Sequence, residues 1–327
     1  MKIYLKHFVF FSIFCSSGFM VWAQQTVEKI VTETQYLLYL PKAYKVDTLK
    51  KWPLLLFLHG SGESGYDINK VKAHGPPQLI EQGKSFPFIV VSPQSDVGSG
   101  WDIDQLYKLL QLVKKNYRAD PERIYATGLS MGGFGTWALA LKYPDEFAAI
   151  APVCGGGDTT NAWKIRNIPV WCFHGALDDV VPLSSDAHMI NAVSRWNPNV
   201  RFTIYPDKKH NSWDTTYNSS DSLYHWLLSH KKFSYQEIPV RITALKRYEG
   251  WYLGPDGDTV HMVVPNNRLT AIVGKDTVPL FTAGENLFFL RRDRAMDIRF
   301  AIDKNGVGSF WFLGDRKLLY RKIKKRN

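Results

Sequence analysis

The stretch Gly128-Leu129-Ser130-Met131-Gly132, with the pattern G-x-S-x-G, decides the fold that the sequence predicts. An apolar run at residues 124–127 precedes it and a glycine-rich run at 132–135 follows it, so we predict a strand, a sharp turn and a helix. A side chain at either outer glycine would collide with the neighbouring strand or helix, whereas Ser130 would be exposed at the sheet edge. The first helical turn would place backbone N–H groups and partial positive charge beside the serine.

Apolar runs and helical segments alternate on both sides of this turn, from residue 36 to about residue 230. Continuous apolar runs, such as residues 54–58, are typical of strands that are buried on both faces. We predict strands at residues 36–40, 54–58, 88–92, 124–127, 147–153, 170–173 and 202–205. We predict helices at residues 102–117, 132–142, 184–195 and 222–229. This alternation predicts an α/β fold with a mostly parallel, doubly wound sheet.

The pattern changes after about residue 238, where short aromatic or β-branched runs recur between turn residues. The turn signals are Pro255-Asp256-Gly257, Pro265-Asn266-Asn267 and Lys304-Asn305-Gly306, and such turns are typical of hairpins. We predict strands at residues 251–253, 260–264, 269–273, 287–290, 298–302, 309–313 and 318–322. The sequence therefore predicts a small antiparallel β domain at residues 236–327, after a first domain at residues 24–235.

The first 23 residues have the pattern of a signal peptide. Lys2 and Lys6 precede an apolar run at residues 8–21, and Ala23 ends the segment. The run is shorter than the roughly 20 residues that a spanning helix requires, which favours cleavage over a membrane anchor. We therefore expect an exported protein, periplasmic or extracellular, without a spanning segment after cleavage. Cys154 and Cys172 would remain, and their apolar surroundings favour two free buried thiols over a disulfide.

The net charge of +11 is unevenly distributed along the chain. Residues 231–327 contain 19 Lys and Arg against 10 Asp and Glu, a net charge of +9, whereas residues 24–230 contain 20 of each. The abundant apolar residues exclude a disordered chain, and nucleic acid is not expected as a partner of an exported protein whose first domain is neutral. For the basic region two interpretations remain open: docking onto an acidic polysaccharide, an anionic envelope or a partner, or a solvated surface.

Ser130 needs a base to become a nucleophile, and the base needs an acid to orient it. After a G-x-S-x-G turn, an acid and then a histidine follow along the chain. Asp178 is our choice for the acid, with Asp179 as the alternative, because Asp178 is nearer the end of a predicted strand. His210 is our choice for the base, because it lies in a polar loop after another predicted strand. Three other histidines fall in helix-like stretches, namely His188, His225 and His230.

The oxyanion that forms when a serine attacks a carbonyl group needs two backbone donors that point at one position. We expect the first to be the N–H of Met131, directly after the nucleophile. We expect the second to be the N–H of Ser61, in the glycine-rich loop 59–63 that follows the predicted strand at 54–58. His59 is expected to brace this loop, because it precedes the acid along the chain and so breaks the order of a triad.

Together these residues resemble the α/β-hydrolase superfamily. The chain is similar to its esterase and predicted-peptidase group, which is related to prolyl oligopeptidases, dienelactone hydrolases and feruloyl or acetylxylan esterases. The matching pieces span about residues 50–230 and are Leu58-His59-Gly60-Ser61-Gly62-Glu63, His74-Gly75-Pro76-Pro77, Ser92-Pro93-Gln94, 128–133, 174–182 and His210-Asn211-Ser212-Trp213. The resemblance implies a serine hydrolase that works through an acyl-enzyme and needs no metal or cofactor. Ser130 would attack the acyl group, His210 would carry the proton and Asp178 would hold the imidazole.

Three side chains flank the expected mouth of the site: Trp101, His74 and Trp213. They could stack on a sugar or aryl group of the substrate, or they could pack the loops. The sequence contains no long apolar lid insertion between the strands at 147–153 and 170–173, so short-acyl or aryl esters are expected rather than long-chain lipids. The leading hypothesis is an exported carboxylesterase that acts on short-acyl or aryl esters through an acyl-enzyme, with esters linked to plant polysaccharides as one option. The alternatives are a serine peptidase of the prolyl-oligopeptidase type and a non-catalytic carbohydrate-binding protein.

Overall fold

The structure is a computed structural model that describes residues 25–29, 34–98, 100–290, 296–304 and 306–324. The strands within these ranges form two separate sheets. The signal peptide predicted at residues 1–23 lies outside the described residues. None of the helices in the described ranges is both long enough and apolar enough to span a membrane.

The first sheet comes from the N-terminal two-thirds of the chain. Its strands are β1 (Gln25–Lys29), β2 (Gln35–Tyr39), β3 (Trp52–Leu58), β4 (Ile89–Pro93), β5 (Ala119–Leu129), β6 (Ala149–Val153), β7 (Val170–Gly175) and β8 (Val200–Tyr205). Their order across the sheet is β1-β2-β4-β3-β5-β6-β7-β8. Strands β3 to β8 are parallel, and β1 and β2 are antiparallel at one edge.

Helices cover both faces of this sheet. They are α1 (Gly75–Glu81), α2 (Ile103–Asn116), α3 (Met131–Lys142), α4 (Ser184–Ser194), α5 (Trp213–Asn218) and α6 (Ser222–Leu228). One apolar core lies under α2, α3 and α4, and a second lies under α1, α5 and α6. Successive residues of β3 alternate between them, with Leu56 in the first core and Phe57 in the second. The predicted fold class, a mostly parallel doubly wound sheet, is confirmed.

The element bounds differ from prediction where tertiary contacts override local preference. Strand β5 begins five residues earlier than the predicted run at 124–127, because Ala119 pairs with Trp52 of β3 although the residues between are polar and include a proline. Strand β1 is polar and carried no strand signal, yet it pairs along β2. Helix α1 was not among the predicted helices, and it begins with Gly-Pro-Pro, because proline is compatible with a first helical turn.

The second sheet is antiparallel throughout the described residues. Its strands are β9 (Gly250–Leu253), β10 (Thr259–Val263), β11 (Thr270–Val273), β12 (Asp276–Pro279), β13 (Phe281–Thr282), β14 (Leu287–Phe289), β15 (Asp297–Asp303), β16 (Gly306–Leu313) and β17 (Lys317–Ile323), preceded by the short helix α7 (Ile242–Leu245). Their order is β12-β11-β10-β9-β17-β16-β15-β14-β13. An aromatic core that includes Tyr252, Phe288, Phe300 and Phe310 fills one face. The predicted antiparallel C-terminal β domain is confirmed as a fold class.

A buried ion pair connects the two sheets. Arg166 donates to Asp297 of β15, and both side chains are almost fully buried. Arg166 also donates to the carbonyl oxygen of Leu313 at 3.0 Å, and Arg299 donates to the second oxygen of Asp297 at 2.8 Å. One buried carboxylate therefore serves guanidinium groups from both parts of the chain. The predicted domain boundary between residues 235 and 236 falls between α6 and α7 and stays a prediction.

Candidate active site

The nucleophile turn has the strained backbone that the sequence pattern requires. Ser130 lies between β5 and α3 with φ 51° and ψ −117°, a conformation that costs energy for a residue with a side chain. A Cβ atom added to Gly128 would lie 2.5 Å from the carbonyl oxygen of Gly132. A Cβ atom added to Gly132 would lie 2.0 Å from the carbonyl oxygen of Leu58. Both contacts are with backbone, so glycine is required at both positions and the turn lies directly against the end of β3.

The three predicted triad residues lie in hydrogen-bonding contact. His210 Nε2 is 2.9 Å from Ser130 Oγ, and His210 Nδ1 is 2.8 Å from Asp178 Oδ2. The Asp178 side chain is fully buried, whereas that of His210 is 17% exposed. This is the geometry in which an imidazole can take a proton from serine while a carboxylate holds its other nitrogen.

The acid is held in place by the turn that follows β7. Asp178 Oδ1 accepts hydrogen bonds from the N–H groups of Val180 and Val181, both at 2.9 Å. The alternative acid, Asp179, is exposed and forms a surface ion pair with Lys209 at 2.9 Å. The sequence offered two candidates for the acid, and the structure brings Asp178, not Asp179, to His210.

The loop that carries His210 is attached to the end of β7. Leu177 N–H donates to the carbonyl oxygen of Lys208 at 2.9 Å, and Ala176 N–H donates to that of Tyr205 at 2.8 Å. A Cβ atom at Gly175 would lie 2.3 Å from the carbonyl oxygen of Lys209, so the two segments touch through their backbones. This contact sets the distance between the acid and the histidine.

The segments that carry the two predicted oxyanion donors, Met131 and Ser61, lie beside each other. Met131 is the first residue of α3 and Ser61 is the first residue of a short 3₁₀ helix, Ser61–Glu63, and the first N–H groups of a helix have no partner within it. The loop that carries Ser61 passes beside the nucleophile, because a Cβ atom at Gly60 would lie 2.7 Å from Leu129 Cδ1. Two free N–H groups on adjoining segments are what an oxyanion hole requires.

His59 ties the Ser61 loop to the neighbouring strand. Its ring is buried, with Nδ1 2.5 Å from the carbonyl oxygen of Gly60 and Nε2 accepting from Ser95 N–H at 3.0 Å. Burial lowers the pKa of His59 to about 4, although the Gly60 carbonyl oxygen opposes this change. Glu63 Oε2 accepts from Gly60 N–H at 2.9 Å, and burial raises the pKa of this acid. These contacts agree with a bracing role for His59.

Of the three predicted mouth residues, Trp213 lies beside His210, His74 lies beside Trp213, and Trp101 packs against the core. The ring of Trp213 contacts His210 edge to face, with centroids 5.2 Å apart, and contacts His74 at 5.6 Å. His74 lies 3.8 Å from both Glu63 and Asp214. Trp101 instead lies against His59 at 4.7 Å and packs on the core under α3.

Sequence reasoning assigned no role to two buried groups behind the acid. His174 Nε2 is 3.2 Å from Asp178 Oδ2, and His174 Nδ1 is 2.8 Å from Asp186 Oδ2. All three side chains are fully buried. The position of His174 at the end of an apolar strand was the available signal, because a buried polar residue needs partners. Its partner on α4 could not be identified from the sequence.

Cys154 lies next to the triad. Its Sγ, an oxygen of Asp178 and a nitrogen of His210 lie within 4.8 Å of one another, a donor set that a divalent metal could use. The imidazole and the carboxylate already bond each other, however, and burial raises the pKa of the thiol to about 12, whereas a metal binds the thiolate. The arrangement therefore suits proton transfer better than metal binding. Cys154 and Cys172 are both free and buried, as predicted.

Comparison with known proteins identifies esterases as relatives of this chain. The bifunctional acetylxylan esterase/xylanase XynS20E of Neocallimastix patriciarum is 33% identical over 137 residues, 39% of this chain and 20% of that protein. Feruloyl esterase C of Emericella nidulans is 26% identical over 163 residues, 48% of this chain and 59% of that protein. The chain thus spans between a fifth and three-fifths of these relatives.

A solved structure and a protein family complete the comparison. The crystal structure of a thermostable esterase superposes with a TM-score of 0.55 at 30% sequence identity, over 64% of this chain and 63% of that one. The family described as "Putative esterase" matches residues 28–225, more than half of the chain and all three members of the triad. On this evidence the chain is an α/β-hydrolase and belongs to that esterase family.

Proposed function

We propose that this protein is a serine carboxylesterase that hydrolyses short-acyl or aryl esters, including acyl groups carried by plant polysaccharides. The observation that carries the proposal is the position of His210, with one ring nitrogen 2.9 Å from Ser130 Oγ and the other 2.8 Å from Asp178. Membership of the esterase family supports the ester chemistry. The substrates named in two relatives, acetylxylan and feruloyl esters, support the substrate class.

Hydrolysis would proceed in two steps, the acylation of Ser130 and the hydrolysis of the acyl-enzyme. Ser130 Oγ attacks the acyl carbon while His210 Nε2 takes the hydroxyl proton, and the N–H groups of Met131 and Ser61 hold the oxyanion. The alcohol leaves with that proton, and the acyl group stays on Ser130. A water molecule then gives a proton to His210 and attacks the acyl carbon, which releases the acid and returns a proton to Ser130. His210 must be neutral to act as the base in the first step.

The form of the site favours small acyl groups. Between β6 and β7 the chain contains only a short 3₁₀ helix, Thr159–Ile165, and so provides no long lid that could cover a lipid chain. Trp213 lies between His210 and His74 and offers an aromatic edge for an aryl or sugar group. Trp101 would act on substrate binding only indirectly, by packing the Ser61 loop.

We also propose that the protein is exported after cleavage of residues 1–23, that residues 24–235 form the catalytic domain and that residues 236–327 form an accessory β domain. The basic segment followed by an apolar run supports export. The change from a parallel to an antiparallel sheet supports the division. The mass of the mature chain from a secreting culture would test the cleavage site.

The decisive experiment compares the wild type with Ser130→Ala on aryl acetates, methyl ferulate and short peptide amides. The matched control is Ser194→Ala, at an exposed serine at the end of α4. We expect ester turnover and fluorophosphonate labelling in the wild type and the control, and neither in Ser130→Ala. Amide turnover without ester turnover would make the protein a peptidase. Equal activity in Ser130→Ala and the wild type would refute the mechanism.

A further inference from the structure

The Asp178 oxygen that faces His210 also faces a second imidazole. His174 is the penultimate residue of β7, and its Nε2 lies 3.2 Å from Asp178 Oδ2. The side chains of His174 and Asp178 have no exposed surface. A buried carboxylate between two imidazoles must be balanced electrically, because an uncompensated charge is costly in the protein interior.

The hydrogen-bond partners of His174 determine how many protons its ring carries. Nδ1 lies 2.8 Å from Asp186 Oδ2, while Nε2 lies 3.0 Å from the carbonyl oxygen of Val181 and 3.2 Å from Asp178. Each of these partners is an acceptor when the acids are ionised. A neutral imidazole has one N–H and one lone pair, so it would direct a lone pair at an oxygen. Only the imidazolium satisfies both sides of the ring.

Asp186 is held as a carboxylate by groups from two other elements. Its Oδ1 accepts from the indole N–H of Trp137 in α3 at 2.7 Å, and its Oδ2 accepts from Gly155 N–H, just after β6, at 2.8 Å. Hydrogen bonds to the charged form stabilise that form. The proton shared by the buried pair therefore resides on His174.

The other titratable groups near Asp178 do not supply the positive charge that balances the two buried carboxylates. Burial raises the pKa of Cys154 to about 12 and that of Cys172 well above its usual value, so both thiols are neutral. On the solvent side of His210, Asp179 and Lys209 form a mutually neutralising pair. Burial acts to lower the pKa of His174, but its bonds to Asp186 and to the Val181 carbonyl, together with the Asp178 charge, raise it overall.

We propose that His174 is a permanently protonated positioning residue of the triad and that Asp186 keeps it in that state. The proposal rests on the proposed function, since it concerns how the same site works. Asp186, His174 and Asp178 together carry one net negative charge, the charge that a triad needs to stabilise the imidazolium formed on His210. Protonated His174 also places its positive charge beside the Asp178 oxygen that faces His210, with Nε2 3.2 Å from that oxygen.

Three variants separate charge from packing. His174→Gln leaves two carboxylates, a net charge of −2 for the cluster. Asp186→Asn lets His174 release its proton, so the net charge stays −1, and the double variant His174→Gln/Asp186→Asn also has −1. The readouts are kcat and KM for an aryl acetate and the pH profile of kcat/KM.

We expect His174→Gln to lower kcat by roughly 10- to 100-fold, by analogy with the loss of a partner that orients a metal-ligating histidine. KM should stay unchanged, because His174 does not touch substrate. The acid limb of the profile should move up by about one pH unit, since the extra negative charge favours protonated His210. The acid limb of Asp186→Asn should lie at the wild-type pH, and that of the double variant should return to the wild-type pH. An acid limb that His174→Gln does not move would overturn the proposal.

A second measurement does not depend on activity or on the folding of these variants. In ¹⁵N-labelled Ser130→Ala protein, both ring nitrogens of His174 should carry protons from pH 6 to pH 8. One deprotonated nitrogen in that range would overturn the proposal even if the esterase function holds. Conversely, ester turnover by Ser130→Ala would refute the proposed function and leave this result intact.

Discussion

Replacing the buried His59 with glutamine should make the protein more resistant to acid. His59 is 1% exposed, and its Nε2 accepts the N–H of Ser95 while its Nδ1 faces the carbonyl oxygen of Gly60. The ring is therefore neutral, with its proton on Nδ1, and a second proton would remove the acceptor that Ser95 uses. Burial accordingly lowers the pKa of His59 to about 4.

The magnitude follows from the two pKa values. In the unfolded chain a histidine has its ordinary value of 6.5, so the folded and unfolded states differ by 6.5 − 4 = 2.5. Between these values the unfolded state takes up a proton that the folded state does not bind, so the free energy of unfolding falls as the pH falls. At 1.36 kcal/mol for each pKa unit, His59 lowers the free energy of unfolding by about 3 kcal/mol as the pH falls from 6.5 to 4. This stability is fully present above pH 6.5 and is lost by about pH 4.

The assay is denaturant-induced unfolding of the wild type and His59→Gln at intervals from pH 8 to pH 4. Glutamine can still accept from Ser95 N–H but does not titrate in this range. At pH 7 we expect the variant to be less stable by about 1 kcal/mol, because it loses the bond to the Gly60 carbonyl oxygen. At pH 4 it should be more stable by about 2 kcal/mol. All other titrating groups cancel in the comparison. A constant difference between the two proteins from pH 8 to pH 4 would refute the reasoning.

Three further substitutions test the site and the junction of the two sheets. Asp178→Asn should lower kcat about 10⁴-fold. Asp179→Asn, which removes only a surface ion pair, should change kcat less than about twofold. Equal losses of kcat in the two variants would contradict our choice of acid. Gly132→Ala should lower the free energy of unfolding by more than about 3 kcal/mol, because its Cβ atom would lie 2.0 Å from a backbone oxygen. The control Gly308→Ala should leave the stability nearly unchanged, because no atom lies within 4 Å of its Cβ position. Equal melting temperatures for the two variants would contradict this prediction. Asp297→Asn should lower the free energy of unfolding by about 3–5 kcal/mol, because it removes the negative charge that balances the buried Arg166 guanidinium, and a loss below about 1 kcal/mol in denaturant unfolding would contradict this.

The nucleophile turn could be predicted from the sequence because its constraints are local. Two glycines around Ser130, a strand before it and a helix after it are all encoded within about a dozen residues. The contacts of Gly128 and Gly132 give the physical reason, since each lies too close to backbone for any side chain. The chain order then placed the acid in 174–182 and the base in the loop at His210.

Other predictions failed where local preference and tertiary pairing disagree. The polar strand β1 and the start of β5 have little intrinsic tendency to form strands, and they do so because a neighbouring strand offers its hydrogen bonds. Trp101 illustrates the same limit for side chains. The sequence left open whether its ring stacks on a substrate or packs the loops, and in the structure the ring lies beside Gly135 of α3.

By itself the sequence determined the fold class and predicted the nucleophile and the order of the triad, because these depend on backbone conformation and on short-range periodicity. Only the tertiary structure decided between Asp178 and Asp179, since the turn N–H groups bind one carboxylate and leave the other in solvent. Only the tertiary structure paired His174 with Asp186 behind the triad. The partner of a buried charge is set by which strands and helices become neighbours, and that adjacency is a property of the whole packed chain.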